Sequence, residues 1–287
     1  MREATGNEHI APKALSSEAI AQYREAGWYA PLPVLSTAEA AALRARLEAH
    51  ERAAGAPLSG AMRHKCHLLF TWLWELVHDP RILDAVEDVL GPDLLCWSSS
   101  FFIKEARDPG FVSWHQDATY WGLSSPDVMT VWLALSPSTL ESGAMQVIPT
   151  THLEQFQHRD TFDEHNLLTR GQEVTVEVDR ARAVPLVLAP GEASLHHVLL
   201  VHGSEPNRAD DRRIGLALRY MPTHVRQVAG ARDSATLVRG VDRHGHFELE
   251  QAPEFDLSPA ARARHAAITA AQAATLYRGT DKASFRA

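Results

Sequence analysis

Apolar and polar positions change their rhythm near residue 94. Before it the spacing is helical. Ser36-Thr37-Ala38-Glu39 reads as a capping box, with Leu43 and Leu47 one turn apart behind it and Gly55 as a stop. Asp79-Pro80 combines an N-cap with a proline at the first helical position, and Gly91 closes that segment. From Leu94 the runs become short, apolar or alternating: 101–103, 128–135, 145–148, 174–178, 186–188 and 214–220, with turn residues between them. Ser258-Pro259 then opens an Ala-rich helix that reaches about Tyr277. The pattern predicts a mainly β protein with flanking helices, its strands closed into a sandwich or barrel. It divides as a mostly helical buttress over 17–91, a β core over 94–225 and a C-terminal helix over 258–278, all in one domain spanning 1–287. Residues 1–16 carry no periodicity and read as a flexible tail.

One connection breaks the rhythm. Between Pro149 and Glu173 there is no periodic pattern, and connections of this length in a compact domain are lids, binding loops or surface excursions. The stretch 152–172 holds Asn166, Thr169, Arg170 and Gln172, a polar set suited to gripping a substrate.

Composition removes several function classes. A hydrophobic share of 45% and a charged share of 22% are those of a globular domain. The formal net charge of −8 argues against nucleic acid as partner and leaves a small-molecule substrate as the expectation. Apolar runs are strand-sized, so no membrane span is expected, and the N-terminus lacks the apolar core of a signal peptide. Two cysteines, Cys66 and Cys96, make no disulfide framework, which points to a cytoplasmic protein. Sixteen histidines exceed any ligand set. His9, His50, His158, His165, His244 and His246 lie in polar or terminal stretches and read as solvated, and His152 and His224 as surface residues of turns.

Two segments carry candidate chemistry. Trp114-His115-Gln116-Asp117 is answered by Val201-His202-Gly203-Ser204, with His202 85 positions after Asp117. On a strand, His115 and Asp117 face one way, and a third ligand can meet them from another strand. Two imidazoles and a carboxylate on one side of a metal form the facial triad of non-haem Fe(II) oxygenases, whose open positions take a co-substrate and O2. In isolation a His-x-Asp pair is equally a surface pair or a satisfied buried pair. Arg213 follows His202 by 11 residues and shares a strand face with Gly215, Ala217 and Arg219, while Ile214, Leu216, Leu218 and Tyr220 occupy the other. Small residues between two arginines suit a cavity wall, so if iron here is chelated by 2-oxoglutarate, Arg213 rather than Arg212 is the expected cation for its distal carboxylate, with Ser204 as a further donor. Arg219 is a second inward cation, for substrate or for a salt bridge at the rim. His196 and His197 read as packing residues or as neighbours behind the ligands; a regular strand through 196–202 would also turn His196 inwards. Trp114, Tyr120 and Trp121 are core or pocket wall, and Ser98, Ser100, Phe102 and Lys104 border the pocket by parity.

His115-Gln116-Asp117, His202-Gly203-Ser204 with Asn207, and Arg213, together with Trp132 in Val-Trp-Leu-Ala-Leu, Glu141-Ser142-Gly143-Ala144-Met145, Pro149-Thr150-Thr151-His152 and Ala189-Pro190-Gly191-Glu192, resemble the phytanoyl-CoA dioxygenase family of Fe(II)- and 2-oxoglutarate-dependent oxygenases. The resemblance runs over about 94–220. It implies a double-stranded β-helix (jelly-roll, cupin-like) core, with His115, Asp117 and His202 on iron, Arg213 as the 2-oxoglutarate anchor and Trp132 beside the co-substrate. It further implies oxidation of an unactivated C–H bond with release of succinate and CO2. Halogenating relatives carry a small residue where Asp117 stands, so a hydroxylase is expected rather than a halogenase. Two other readings remain: a cupin-like metalloenzyme that does not use 2-oxoglutarate, with Arg213 on substrate, and a non-catalytic binding barrel.

Overall fold

The computed structural model describes residues 12–282 and 285. The first block is helical as the pattern predicts, with α1 over Ser17–Ala26, then strand β1 over Trp28–Pro33, α2 over Thr37–Ala54, α3 over Thr71–Val77 and α4 over Pro80–Leu90. The Ser36 capping box is present in full, and Asp79 caps α4 ahead of Pro80. β1 is the unexpected element, because a two-proline segment gives no strand pattern and pairs only at the sheet's margin. Of the 1–16 segment, residues 1–11 lie outside the described residues. Residues 13–15 are not a free tail, since their three backbone N–H groups donate to the Asp88 carboxylate.

The strands that follow are β2 (Leu94–Lys104), β3 (Val112–His115), β4 (Met129–Ala134), β5 (Met145–Val147), β6 (His158–Asp160), β7 (Gln172–Val174), β8 (Val184–Pro185), β9 (Glu192–His197), β10 (His202–Ser204), β11 (Arg213–Pro222), β12 (Ser234–Arg239) and β13 (Glu248–Leu249), before helix α5 over Pro259–Leu276. A major sheet runs β1-β9-β4-β11-β2-β12-β13 and a minor sheet β3-β10-β5-β8. The β structure therefore does not end at 225: β12 and β13 extend the major sheet beyond it. The runs expected at 174–178 and 186–188 are strands only at 172–174 and 184–185, because Leu186 and Leu188 serve the core from irregular backbone.

Alternation along β11 and β4 sorts the two faces. Ile214, Leu216, Leu218, Val131 and Leu133 join the core shared with the N-terminal helices. The opposite parity, with Arg213, Ala217, Arg219, Thr130 and Trp132, faces the minor sheet across the interior cavity. Gly215 belongs to this inner face for a steric reason: a Cβ there would lie 1.9 Å from Cζ2 of Trp132.

Candidate metal centre

His115 ends β3 and pairs directly with His202 on β10. Asp117 is not on the strand; it opens a single helical turn over Asp117–Tyr120. Gln116 makes that turn rigid. Fully buried, it donates to the carbonyls of Leu199 (2.6 Å) and Glu154 (2.7 Å) and accepts from Phe156 N–H (2.7 Å). The result places one ligand atom from each of His115, Asp117 and His202 within 4.8 Å of the others.

The donor set fits a divalent metal. His115 Nδ1–H points at the carbonyls of Ser113 (2.9 Å) and His202 (3.1 Å), and His202 Nδ1–H donates to the carbonyl of Leu200 (2.9 Å). Both Nε2 lone pairs are thereby left for coordination. Burial drives the His202 imidazole well below its usual range, so it is neutral. Burial alone would raise the Asp117 carboxyl, but the positive charge of Arg219 beside it works the other way and Asp117 is held ionised, below its usual range.

Arg213 lies on β11 at the far end of the same cavity. Its guanidinium is buried, donates to the Gly143 carbonyl, and sits 5.3 Å from the Trp132 ring centroid. Nε has no partner, and among the described residues Arg213 makes no ion pair. Burial lowers it to about 10, so it stays charged at neutral pH. A buried cation without a counter-ion is a site for an anion. Arg212 faces the other way and is spent on Glu51 (2.5 Å) and Glu105 (2.6 Å). Lys104 stands opposite Arg213 in register and donates to Ser204 Oγ (2.7 Å) and to the Glu205 carbonyl. Ser204 lines the cavity, and its hydroxyl accepts from Lys104, which leaves its own O–H free to donate.

Beyond the metal a second chamber opens, walled by Tyr120, Trp121, Phe102, Ser98, Ser100, Leu168, Thr169 and Phe285. Arg219 borders both spaces, with Nε 4.0 Å from Asp117 Oδ2. The 152–172 segment thus supplies one wall of the chamber through Leu167, Leu168, Thr169 and Gln172. Asn166 and Arg170 turn elsewhere. Asn166 Nδ2 donates to Ser113 Oγ (2.8 Å), and its Oδ1 accepts from Leu168 N–H (3.1 Å). Arg170 pairs with Asp160, donates to the carbonyls of Leu276 (2.9 Å) and Arg278 (3.3 Å), and lies 4.1 Å from the Tyr120 ring centroid. Trp114 packs outside the metal cavity with Ile148, Val174 and Val201.

Three histidines depart from the sequence reading. His158 is not solvated: its Nε2 accepts from Gln116 N–H (2.8 Å), bracing the turn between two ligands, and burial lowers it to about 4. His152 is buried and donates to the Arg24 carbonyl (3.1 Å). His50 packs edge-on against Phe70. His224 and His165 are exposed as expected, and His9 lies outside the described residues. The 196–202 stretch is not one regular strand. It leaves the major sheet after His197 and enters the minor sheet at His202, yet both His196 and His202 line the cavity, with ring centroids 4.9 Å apart. The second sphere was hard to read from sequence because it uses carbonyls; an internal Gln flanked by two ligands was the available signal.

Comparison with known proteins agrees with this geometry. The sequence signature of the phytanoyl-CoA dioxygenase family matches residues 23–215. Among curated proteins, a probable alpha-ketoglutarate-dependent hypophosphite dioxygenase of Stutzerimonas stutzeri is 28% identical over 157 residues, which is 54% of each chain. The chain thus aligns with about half the length of that relative. L-proline trans-4-hydroxylase of Streptomyces griseoviridis is 26% identical over 234 residues, covering 71% of this chain and 85% of that one. Among solved structures, the non-heme monooxygenase ThoJ superposes with TM-score 0.79 at 36% identity over 88% of this chain and 95% of its own. CytC3 with Fe(II) and alpha-ketoglutarate gives TM-score 0.66 at 26% identity, over 87% and 99%.

Proposed function

The chain belongs to the phytanoyl-CoA dioxygenase family, and from that premise we propose that it is an Fe(II)- and 2-oxoglutarate-dependent dioxygenase that hydroxylates a small-molecule metabolite. The observation that carries the reading is the coincidence, in one buried cavity, of a two-histidine, one-carboxylate triad with an unpaired arginine. Iron on this triad would supply the redox chemistry that couples decarboxylation of 2-oxoglutarate to transfer of one O2 oxygen into a C–H bond, with succinate and CO2 as co-products.

The protein's own residues do the rest. His115, Asp117 and His202 would hold the metal through one ligand atom each. Arg213 takes the distal carboxylate of 2-oxoglutarate, with Trp132 packed against its guanidinium and Ser204 and Lys104 shaping the end wall. With a metal bound, Asp117 would take the position that a halide needs, which favours hydroxylation. The substrate side is formed by Arg219 and by the chamber wall that includes Thr169; Asn166 and Arg170 support that wall from behind. Aromatic residues around the chamber exclude water from the reacting centre.

The two cysteines are buried and unbridged, in keeping with a cytoplasmic protein. Among the described residues no helix is long and apolar enough to cross a membrane. The test is calorimetric titration of 2-oxoglutarate into the Ni(II)-loaded protein, followed by a screen for substrate-stimulated succinate formation with Fe(II) and O2. Binding that depends on the metal and on Arg213 supports the reading. A protein that takes up metal but not 2-oxoglutarate would refute it and pass Arg213 to another anion.

A further inference from the structure

Co-substrate binding accounts for Arg213 but not for a second polar row on the same inner face. Arg219 on β11 stands opposite Thr130 on β4, and Thr130 stands opposite His196 on β9. All three are buried and all line the metal cavity. Each carries a buried atom without a hydrogen-bond partner: Arg219 Nε, Thr130 Oγ1 and His196 Nδ1. Orphaned buried polar atoms are uncommon in native proteins, and three across adjacent strands, facing one cavity, ask for a shared ligand. Arg219 and Arg213 start six residues apart on one strand, roughly 20 Å of backbone, so the row is a separate place from the co-substrate anchor.

Charge gives the ligand its sign. Among the described residues, the one ion-pair neighbour of Arg219 is Asp117 at 4.0 Å, a carboxylate whose charge a bound metal takes up. A divalent metal, Asp117, Arg213 and Arg219 together leave three positive charges in the cavity, and the 2-oxoglutarate dianion leaves one. Lys104 stands at the Arg213 end, opposite that residue in register and bonded to Ser204 Oγ and the Glu205 carbonyl, so it bears on the co-substrate carboxylate and not on Arg219. One uncompensated buried positive charge calls for one more negative charge. The chamber beyond Arg219 gives the ligand its body. Trp121 and Phe102 lie 5.1 and 5.9 Å from the Arg219 guanidinium carbon, and with Trp97, Tyr120, Leu168 and Phe285 they form an aromatic and apolar side of the chamber, facing a polar side that includes Ser98, Ser100, Gln172 and Gln272.

We propose that Arg219, Thr130 and His196 form a second carboxylate subsite, which binds the carboxylate of a monoanionic substrate whose apolar body occupies the aromatic chamber. The assignment rests on the reading of the protein as a 2-oxoglutarate-dependent oxygenase. A carboxylate held there lies one side chain from a metal ligand, so the carbons near it, not the remote end, are those presented for oxidation.

The test is calorimetry on the Ni(II)- and 2-oxoglutarate-loaded protein, with phenylacetate and cyclohexanecarboxylate as probes and their primary amides as neutral isosteres. Each acid should bind at least about tenfold tighter than its amide. Arg219→Gln should abolish that preference, and Thr130→Val, a nearly isosteric change, should reduce it several-fold. Both variants should bind 2-oxoglutarate like the parent protein, whereas Arg213→Gln should lose about 30-fold or more. Should Arg219→Gln fail to fold, Thr130→Val decides. Equal or absent binding of the acids relative to the amides overturns the proposal. So does an Arg219→Gln protein that loses 2-oxoglutarate and keeps its preference for acids, because the row would then serve the co-substrate's own metal-side carboxylate. A protein that selects acids in its Ni(II) form but never binds 2-oxoglutarate would support the subsite and refute the oxygenase reading.

Discussion

Replacing Arg213 and Arg212 by methionine, one at a time, separates two adjacent cations whose roles are set by strand parity alone. Burial lowers the Arg213 guanidinium from its ordinary value to about 10. A shift of that size corresponds to about 3 kcal/mol against the charged form in the empty protein. Methionine keeps much of the volume and removes the charge, at the loss of one bond to the Gly143 carbonyl worth about 1 kcal/mol. The Arg213→Met protein should therefore melt at the parent temperature or above it. Its affinity for 2-oxoglutarate should fall by about 2–5 kcal/mol, roughly 30- to several-thousand-fold. Arg212→Met should behave in the opposite way. It strips the ion pair at 2.5 Å from Glu51, a carboxylate left with the Leu58 N–H at 3.0 Å. That loss should cost about 1–3 kcal/mol of stability, a melting-temperature drop of a few degrees to about 10 °C at this chain length, with co-substrate affinity unchanged. Thermal melting of the metal-free proteins and titration of 2-oxoglutarate into the Ni(II) forms measure both quantities. An Arg212→Met protein that loses the co-substrate while Arg213→Met retains it would show the assignment to be wrong.

Four other outcomes are expected. His115→Ala, Asp117→Ala and His202→Ala should each lose tight metal binding, and His196→Ala should retain it; a metal-replete His202→Ala beside a metal-free His196→Ala would exchange their roles. Gly215→Ala places a methyl 1.9 Å from Trp132 and should cost about 1–3 kcal/mol while weakening 2-oxoglutarate binding through the displaced indole, so a variant of parental stability and affinity would contradict the packing. Lys104, lowered from 10.5 to about 6 chiefly by burial and then by Arg213, should gain a proton when a dianion binds beside it. The bound state then holds more protons above pH 6, so 2-oxoglutarate affinity should be highest near that pH and weaken as the pH rises; a flat profile, or equal heats in buffers of different ionisation enthalpy, would count against it. Arg170→Met should lower the melting temperature by cutting the tie between Asp160 and the end of α5, and unchanged stability with weaker substrate binding would instead put Arg170 in the site.

Much of this protein is legible along the chain because the relevant rules are local. The capping box at Ser36 and the Asp79-Pro80 start announce their helices through neighbours one to three residues apart. The parity of β11 separates Arg213 and Arg219 from Arg212 because side chains alternate on any strand. His115, Asp117 and His202 could be grouped from spacing and residue type, and their tight geometry follows once β3 and β10 pair. What the tertiary structure alone decided depends on contacts between distant segments. The stretch 196–202 is not one strand because the chain changes sheets there, and no local pattern marks which strand a segment will pair with. His158 looks solvated in a polar stretch, yet the β6–β7 ribbon brings it 42 positions back to the turn between two ligands. Arg170, apt for substrate by type, finds Asp160 and the carbonyls of α5 instead. The row of Arg219, Thr130 and His196 exists only after β11, β4 and β9 lie side by side, because cross-strand register, unlike the alternation within one strand, is a property of the folded sheet.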